Sequence, residues 1–174
     1  LCIAAALASC APGLAAEGDS TTTGVHTRGA PHPIPLFLSP ASAGTTLAVT
    51  SCADDGSPGT LRSVVASAVD GDTVDLTQLT CGTITLLSGQ IDIGIDNVTI
   101  EGPGADTLAV DANQAANTGY IQNGRAFYHT GAGTLTVNSL TVTQGLVNYY
   151  NAYGGCIFSN GNVTLNDAVV SGCR

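Results

Sequence analysis

The sequence contains no lysine, no methionine and no tryptophan. Its only arginines are Arg28, Arg62, Arg125 and Arg174, set against 13 acidic residues, for a formal net charge of −9. Four scattered cations cannot build the basic patch that nucleic acid or anionic lipid requires. Charged residues make up only 10 % and aromatics 5 %, while 44 % are hydrophobic. Little charge with this much apolar content excludes wholesale disorder, which needs the reverse. A chain of 174 residues is long enough for one domain with a real core. What is abundant is Gly and Thr, at 22 each. Both are poor helix formers, and Thr suits strands, so many short strands and turns are expected.

Residues 1–16 read LCIAAALASCAPGLAA. This stretch is apolar and uncharged, and it is too short to span a bilayer. Small residues follow Pro12-Gly13. The segment is read as a secretory signal peptide without its basic start, cleaved after Ala16. Two alternatives stand beside it. Leu7-Ala8-Ser9-Cys10 resembles a lipobox, with lipid on Cys10. A buried N-terminal helix would be interrupted by the Pro-Gly pair. Residues 17–45 carry Pro31, Pro33, Pro35 and Pro40 among Thr, Ser and Gly, and read as a linker. His26 and His32 lie in it with nothing to hold them together around a metal. The chain begins with Leu, and its patterned segment runs up to Arg174, so residues 46–174 are expected to be the start of a stack that continues beyond 174.

Outside the leader, four cysteines remain: Cys52, Cys81, Cys156 and Cys173. An even number in an exported chain suggests two disulfides, and four cysteines allow three pairings. Zinc ligation needs close pairs such as C-x-x-C, which are absent. Free buried thiols are the remaining alternative.

TLAVTSC (46–52) alternates and reads as a strand. Asp54-Asp55-Gly56-Ser57-Pro58-Gly59 is turn chemistry, and Asp54-Asp55 reads as an Asx turn rather than a catalytic pair. Thr60 can then cap a helix whose apolar residues Leu61, Val64, Val65 and Ala68 fall on one face. Short strands are expected at 73–76, 82–87, 90–93, 97–100 and 107–110. The chain also repeats itself. GTLTVNSLTVTQG (133–145) aligns with GNVTLNDAVVSGC (161–173), and GRAFYHT (124–130) with GGCIFSN (154–160). NVTIEG (97–102) is an earlier, poorer copy. One such unit cannot bury its own apolar face, whereas a stack of them buries a continuous core. At roughly 25–30 residues per coil the fold class is all-β: a right-handed parallel β-helix (solenoid) with a short N-terminal capping helix. The repeat geometry favours Cys52–Cys81 and Cys156–Cys173, bridging adjacent coils. Asn138 and Asn166 occupy equivalent positions and can form an amide ladder, or simply serve turns.

VTSCADDGSPGTLRSVVASAVDGDTVDL, with LTCGTITLLSGQIDI and NVTIEGPGA, resembles the N-terminal part of exported bacterial parallel β-helix repeat proteins of the polymorphic-outer-membrane-protein-like or pectin-lyase-like kind. Gly154-Gly155-Cys156-Ile157 is similar to their GGAI-type repeat, while the companion F-x-x-N slot reads Val170-Ser171-Gly172-Cys173. The resemblance spans about Thr46 to Arg174 and implies the fold and export; fold alone does not give function.

Candidate chemistry is sparse. Asp70, Asp72 and Asp75 offer hard oxygen ligands for Ca²⁺, or else form a turn after the helix with Asp72 and Asp75 on a solvated strand face. No other cofactor is expected. Arg125 and His129 flank Ala126-Phe127-Tyr128, and alternation puts 125, 127 and 129 on one face, with both polar residues expected to reach solvent. Tyr149, Tyr150 and Tyr153 form an aromatic loop cluster of the kind that stacks on sugars or proteins. The favoured reading is a secreted or cell-surface scaffold, adhesin-like and without catalysis in these residues. Its expected partners are carbohydrate or a host or cell-surface protein. The alternatives are the start of a polysaccharide lyase or glycoside hydrolase, and a spacer ahead of an anchor. The expected location is extracellular or the outer-membrane surface, without a transmembrane helix.

Overall fold

A computed structural model describes residues 43–113, 124–148 and 153–174. The leader, most of the linker, Tyr149 and Tyr150 lie outside the described residues. The elements are β1 (Thr46–Ala48), α1 (Leu61–Ser67), β2 (Thr73–Asp75), β3 (Thr83–Thr85), β4 (Ile91–Ile93), β5 (Val98–Glu101), β6 (Ala109–Asp111), β7 (Phe127–His129), β8 (Thr134–Asn138), β9 (Thr141–Thr143), β10 (Ile157–Ser159), β11 (Asn162–Asn166) and β12 (Val169–Ser171). The strands form three parallel sheets in the orders β1-β2-β5-β8-β11, β3-β6-β9-β12 and β4-β7-β10. The chain visits the long, the four-stranded and the short sheet in turn, then returns to the long one. It is a parallel β-solenoid of about four turns, as the repeats predicted.

Side chains that pair across neighbouring coils lie 27 or 28 residues apart. The separation rises to 37 where the coil includes residues 114–123. The two aligned copies fall into the register expected from sequence: Thr134 pairs with Asn162, and Phe127 with Ile157. Strand alternation turns every second residue inward, so apolar side chains stack in columns. One column runs Leu47, Val74, Ile100, Val137, Leu165; another runs Ile84, Val110, Val142, Val170. A fully buried aliphatic side chain contributes about 1.5–3 kcal/mol, so these columns hold the coils together.

The corners explain the punctuation between strands. Ser139 and Asp167 follow β8 and β11 at the same corner, both with φ of 49°. Small polar residues tolerate this left-handed backbone better than most. Gly161 sits where the coil crosses the one beneath; a Cβ there would strike the backbone of Ala132 and Gly133. On the outer surface Asn166 Nδ2 donates to Asn138 Oδ1 at 2.8 Å, and Asn138 Nδ2 donates to Glu101 Oε2 at 2.7 Å. The amide ladder is therefore real, and Glu101 is its first rung.

At the β1 end, α1 roofs the core. Thr60 caps it by accepting from the Ser63 N–H, and Leu61, Val64, Val65 and Ala68 are buried as their spacing predicted. The helix packs against β2 and β4. Asp54, buried just ahead of it, grips Arg62 through two hydrogen bonds of 2.7 and 2.9 Å and accepts the N–H groups of Leu87 and Ser88. Arg62 also donates to the carbonyls of Gln90 and Gly89, so one ion pair pins the helix to the following coil. Cys52–Cys81 and Cys156–Cys173 are both bridged, with Cα–Cα distances of 6.5 and 5.3 Å. At the β11 end, Val163, Leu165, Val169 and Val170 are 41–45 % exposed.

Candidate functional site

The short sheet, β4-β7-β10, carries the most varied chemistry. Its inward positions pair Ile91 with Phe127 and Ile157, then Ile93 with His129 and Ser159. Its outward positions pair Asp92 with Tyr128 and Phe158. Phe127 and His129 do share one face, and that face is the interior, whereas Arg125, just ahead of β7, lies over the outward rings of Tyr128 and Phe158 rather than with them. His129 is fully buried and Arg125 only 7 % exposed, so the expectation that both reach solvent is corrected. The apolar neighbour decided it: Phe127 gains most by facing the core, and alternation carries His129 in with it.

His129 is satisfied where it sits. Its Nε2 lies 2.9 and 3.1 Å from the carbonyl oxygens of Ile95 and Asp96. Carbonyls only accept, so Nε2 carries the proton. Nδ1 is then the acceptor for the Ser159 hydroxyl at 2.6 Å. Histidine here replaces an aliphatic side chain in a core column and is bonded at both nitrogens. It is a structural residue, closed to an external ligand.

Arg125 bridges outward instead. Its Nε and Nη2 donate to the Tyr153 carbonyl at 3.2 and 2.8 Å, and Nη1 donates to Gln90 Oε1 at 3.2 Å. Gln90 in turn donates to Asp92 Oδ1 at 2.8 Å. The guanidinium lies 5.3 Å from the Tyr128 ring centre and 5.4 Å from that of Phe158. Those rings stack on each other at 5.2 Å with 25° between their planes. Burial pushes the Arg125 guanidinium below its ordinary value, partly offset by Tyr128. It nevertheless remains a cation, as arginine does in proteins. The result is a strip on the outer face of the short sheet: Asp92, Gln90, Arg125, Tyr128 and Phe158, with Tyr153 exposed beside it.

No family model, curated protein or solved structure matches this chain.

The acidic residues are engaged elsewhere. Asp70 accepts from the Asn97 backbone and side chain. Asp72 is buried, contrary to the solvated position expected; it accepts from the Val69 N–H and from the Thr45 N–H and hydroxyl. These bonds hold its carboxyl below the usual carboxylate range. Asp75 accepts from the Thr77 N–H. The three carboxylates thus serve separate backbone groups, and among the described residues no three His, Cys, Asp or Glu side chains are grouped to hold a metal ion. Asp55 makes the expected Asx turn with Ser57, whose hydroxyl and N–H hold its carboxyl low. Asp54, which sequence reasoning placed in a turn, sits in a buried ion pair with Arg62.

The rings of Tyr128 and Phe158 were not singled out from the sequence. The signal was present in the aligned copies GRAFYHT and GGCIFSN, which put an aromatic residue at the same outward position in successive coils.

Proposed function

We propose that this chain is part of an exported, cell-surface β-helix scaffold that binds its partner without catalysis, through the outer face of the short sheet. The observation that carries the reading is the stacked Tyr128–Phe158 pair braced by Arg125 beside exposed Tyr153. Aromatic surfaces flanked by amide and carboxylate groups suit the apolar faces and hydroxyls of sugars. Uncharged or amino-bearing glycans fit best, because a chain of net charge −9 repels anionic polymers. Two disulfides favour an oxidising compartment. Among the described residues no helix is long and apolar enough to cross a membrane.

The test is titration of the folded chain against a panel of neutral, amino and anionic oligosaccharides. Binding confined to the first two classes supports the reading. Tyr128→Ala and Phe158→Ala are each expected to weaken it about tenfold, equivalent to about 1.4 kcal/mol. Glycan binding that survives both substitutions together, or no binding to any glycan, overturns it.

A further inference from the structure

The three outward side chains of the short sheet differ in chemistry. Asp92, Tyr128 and Phe158 stand in register on β4, β7 and β10. Because β7 lies between the other two strands, Tyr128 has Phe158 on one side and Asp92 on the other. Phe158 stacks on it. Asp92 is exposed and one strand spacing away, about 4.8 Å along the sheet. Gln90 Nε2 donates to Asp92 Oδ1 at 2.8 Å, and no other donor among the described residues bonds the carboxylate. Both arginines that bond Gln90 stop short of Asp92. Arg62, on α1, donates to Asp54 and to the carbonyls of Gly89 and Gln90. Arg125, ahead of β7, donates to the Tyr153 carbonyl and to Gln90 Oε1. Gln90 is thus a spacer: its oxygen takes the Arg125 guanidinium and its nitrogen takes the carboxylate. Among the described residues Asp92 makes no ion pair, unlike Asp54 with Arg62.

Resting on the reading of this strip as a glycan face, we propose that Asp92 makes it selective for glycans with unsubstituted amino groups over neutral and N-acetylated ones. One oxygen of the carboxylate is held by Gln90 and the other is open to solvent. That open oxygen accepts the N–H hydrogens of a protonated amine. The neighbouring Tyr128 ring adds its own attraction for positive charge and carries the sugar ring alongside. The Arg125 guanidinium opposes a second cation, but Gln90 holds it off. Coulomb energy falls with distance, so an ammonium touching Asp92 gains more from the carboxylate than it loses to the arginine. An N-acetyl group has no charge to offer and gains nothing from that carboxylate beyond a neutral hydrogen bond. Asp92 is therefore the specificity-determining residue of the strip, and its aromatic residues are the general sugar platform.

The complete 174-residue chain is titrated by calorimetry with oligoglucosamine and with the same oligomer fully N-acetylated. Each titration is run at a mildly acidic pH, where the free amine is protonated, and at a mildly alkaline pH, where it is not. In acid the amino form is expected to bind about tenfold more tightly than the acetylated form, the scale of one partly exposed ion pair with a cation–π contact. In alkali that preference should vanish. Asp92→Asn keeps the shape of an exposed side chain and removes its charge. It should abolish the preference in acid while leaving the affinity for the acetylated form unchanged. Equal binding of the two glycans in acid overturns the proposal and leaves the glycan face standing. A preference that survives Asp92→Asn belongs to the net charge of the whole chain and overturns the proposal as well. If neither oligomer binds, the proposal falls; if no other glycan of the panel binds either, the glycan face falls with it.

Discussion

At the β1 end of the stack an amphipathic helix lies over the core, a buried ion pair locks it down, and every apolar residue on its inner face is covered. In the β10–β12 coil the core columns continue through Val163, Leu165 and Val170, each more than two fifths exposed. Both ends carry a disulfide and both use the same strand geometry. What differs is how far the apolar side chains are covered. A solenoid needs few distinct interactions in its middle, where each coil repeats its neighbour.

The sharpest way to break the comparison is Arg62→Ala. It strands Asp54 as an unpaired carboxylate whose side chain is 1 % exposed. The loss should be about 3–5 kcal/mol by urea denaturation. A change below about 1 kcal/mol would mean that the ion pair does not lock the helix. Next comes a matched pair of truncations. Leu61→Ala removes a fully buried side chain and should cost about 2–5 kcal/mol. Leu165→Ala, at the far end of a core column, should cost under about 1 kcal/mol, because Leu165 is 45 % exposed. Equal losses would dissolve the contrast between the ends.

Acid should act on the roofed end as well. Burial by itself raises the Asp54 carboxyl, but hydrogen bonds from Arg62, Ser88 and Leu87, with the charge of Arg62, outweigh it and leave the value below 3.8. A carboxylate lowered by folding stabilises the fold fully above its unfolded value. That contribution is lost as pH falls through the folded value, which places the loss below pH 3.8. Amide exchange between pH 5 and 2 should therefore show protection of 61–67 falling in that lower window. In an Asp54→Asn variant the Asp54-linked part of this pH dependence should be absent. A dependence identical to wild type would assign the acid response to other groups. A modest effect is also expected for Asn138→Ala, which cuts the amide ladder at a half-exposed rung and should cost about 0.5–1.5 kcal/mol.

The fold was readable because its signals are local and repeated. The helix face at 61–68, the strand positions and the 28-residue copy offset all follow from alternation and self-alignment. The bridge pairs followed from the same geometry. The site was less readable for a physical reason. Alternation says which residues share a face, not which face is inside. With Phe127 and His129 on one face, the histidine argued for solvent and the aromatic for the core, while Arg125 turned to the outward rings. The larger apolar area prevailed, and His129 found partners in Ser159 and two carbonyls that no local pattern announces. Asp54 was misread likewise: a turn-forming acid and a helix arginine eight residues on become a clamp only once the coil above supplies Leu87 and Ser88.

The column Glu101, Asn138, Asn166 has an arrow. A carboxylate has no hydrogen to give, so Asn138 must point its nitrogen toward Glu101 and its oxygen the other way, and Asn166 must follow suit. One acid thus orients two amides that would otherwise be free to face either direction. With Gln in place of Glu101 the column could run both ways. As it stands, the exposed end always offers an oxygen, and whatever settles on Asn166 must arrive with a hydrogen in hand.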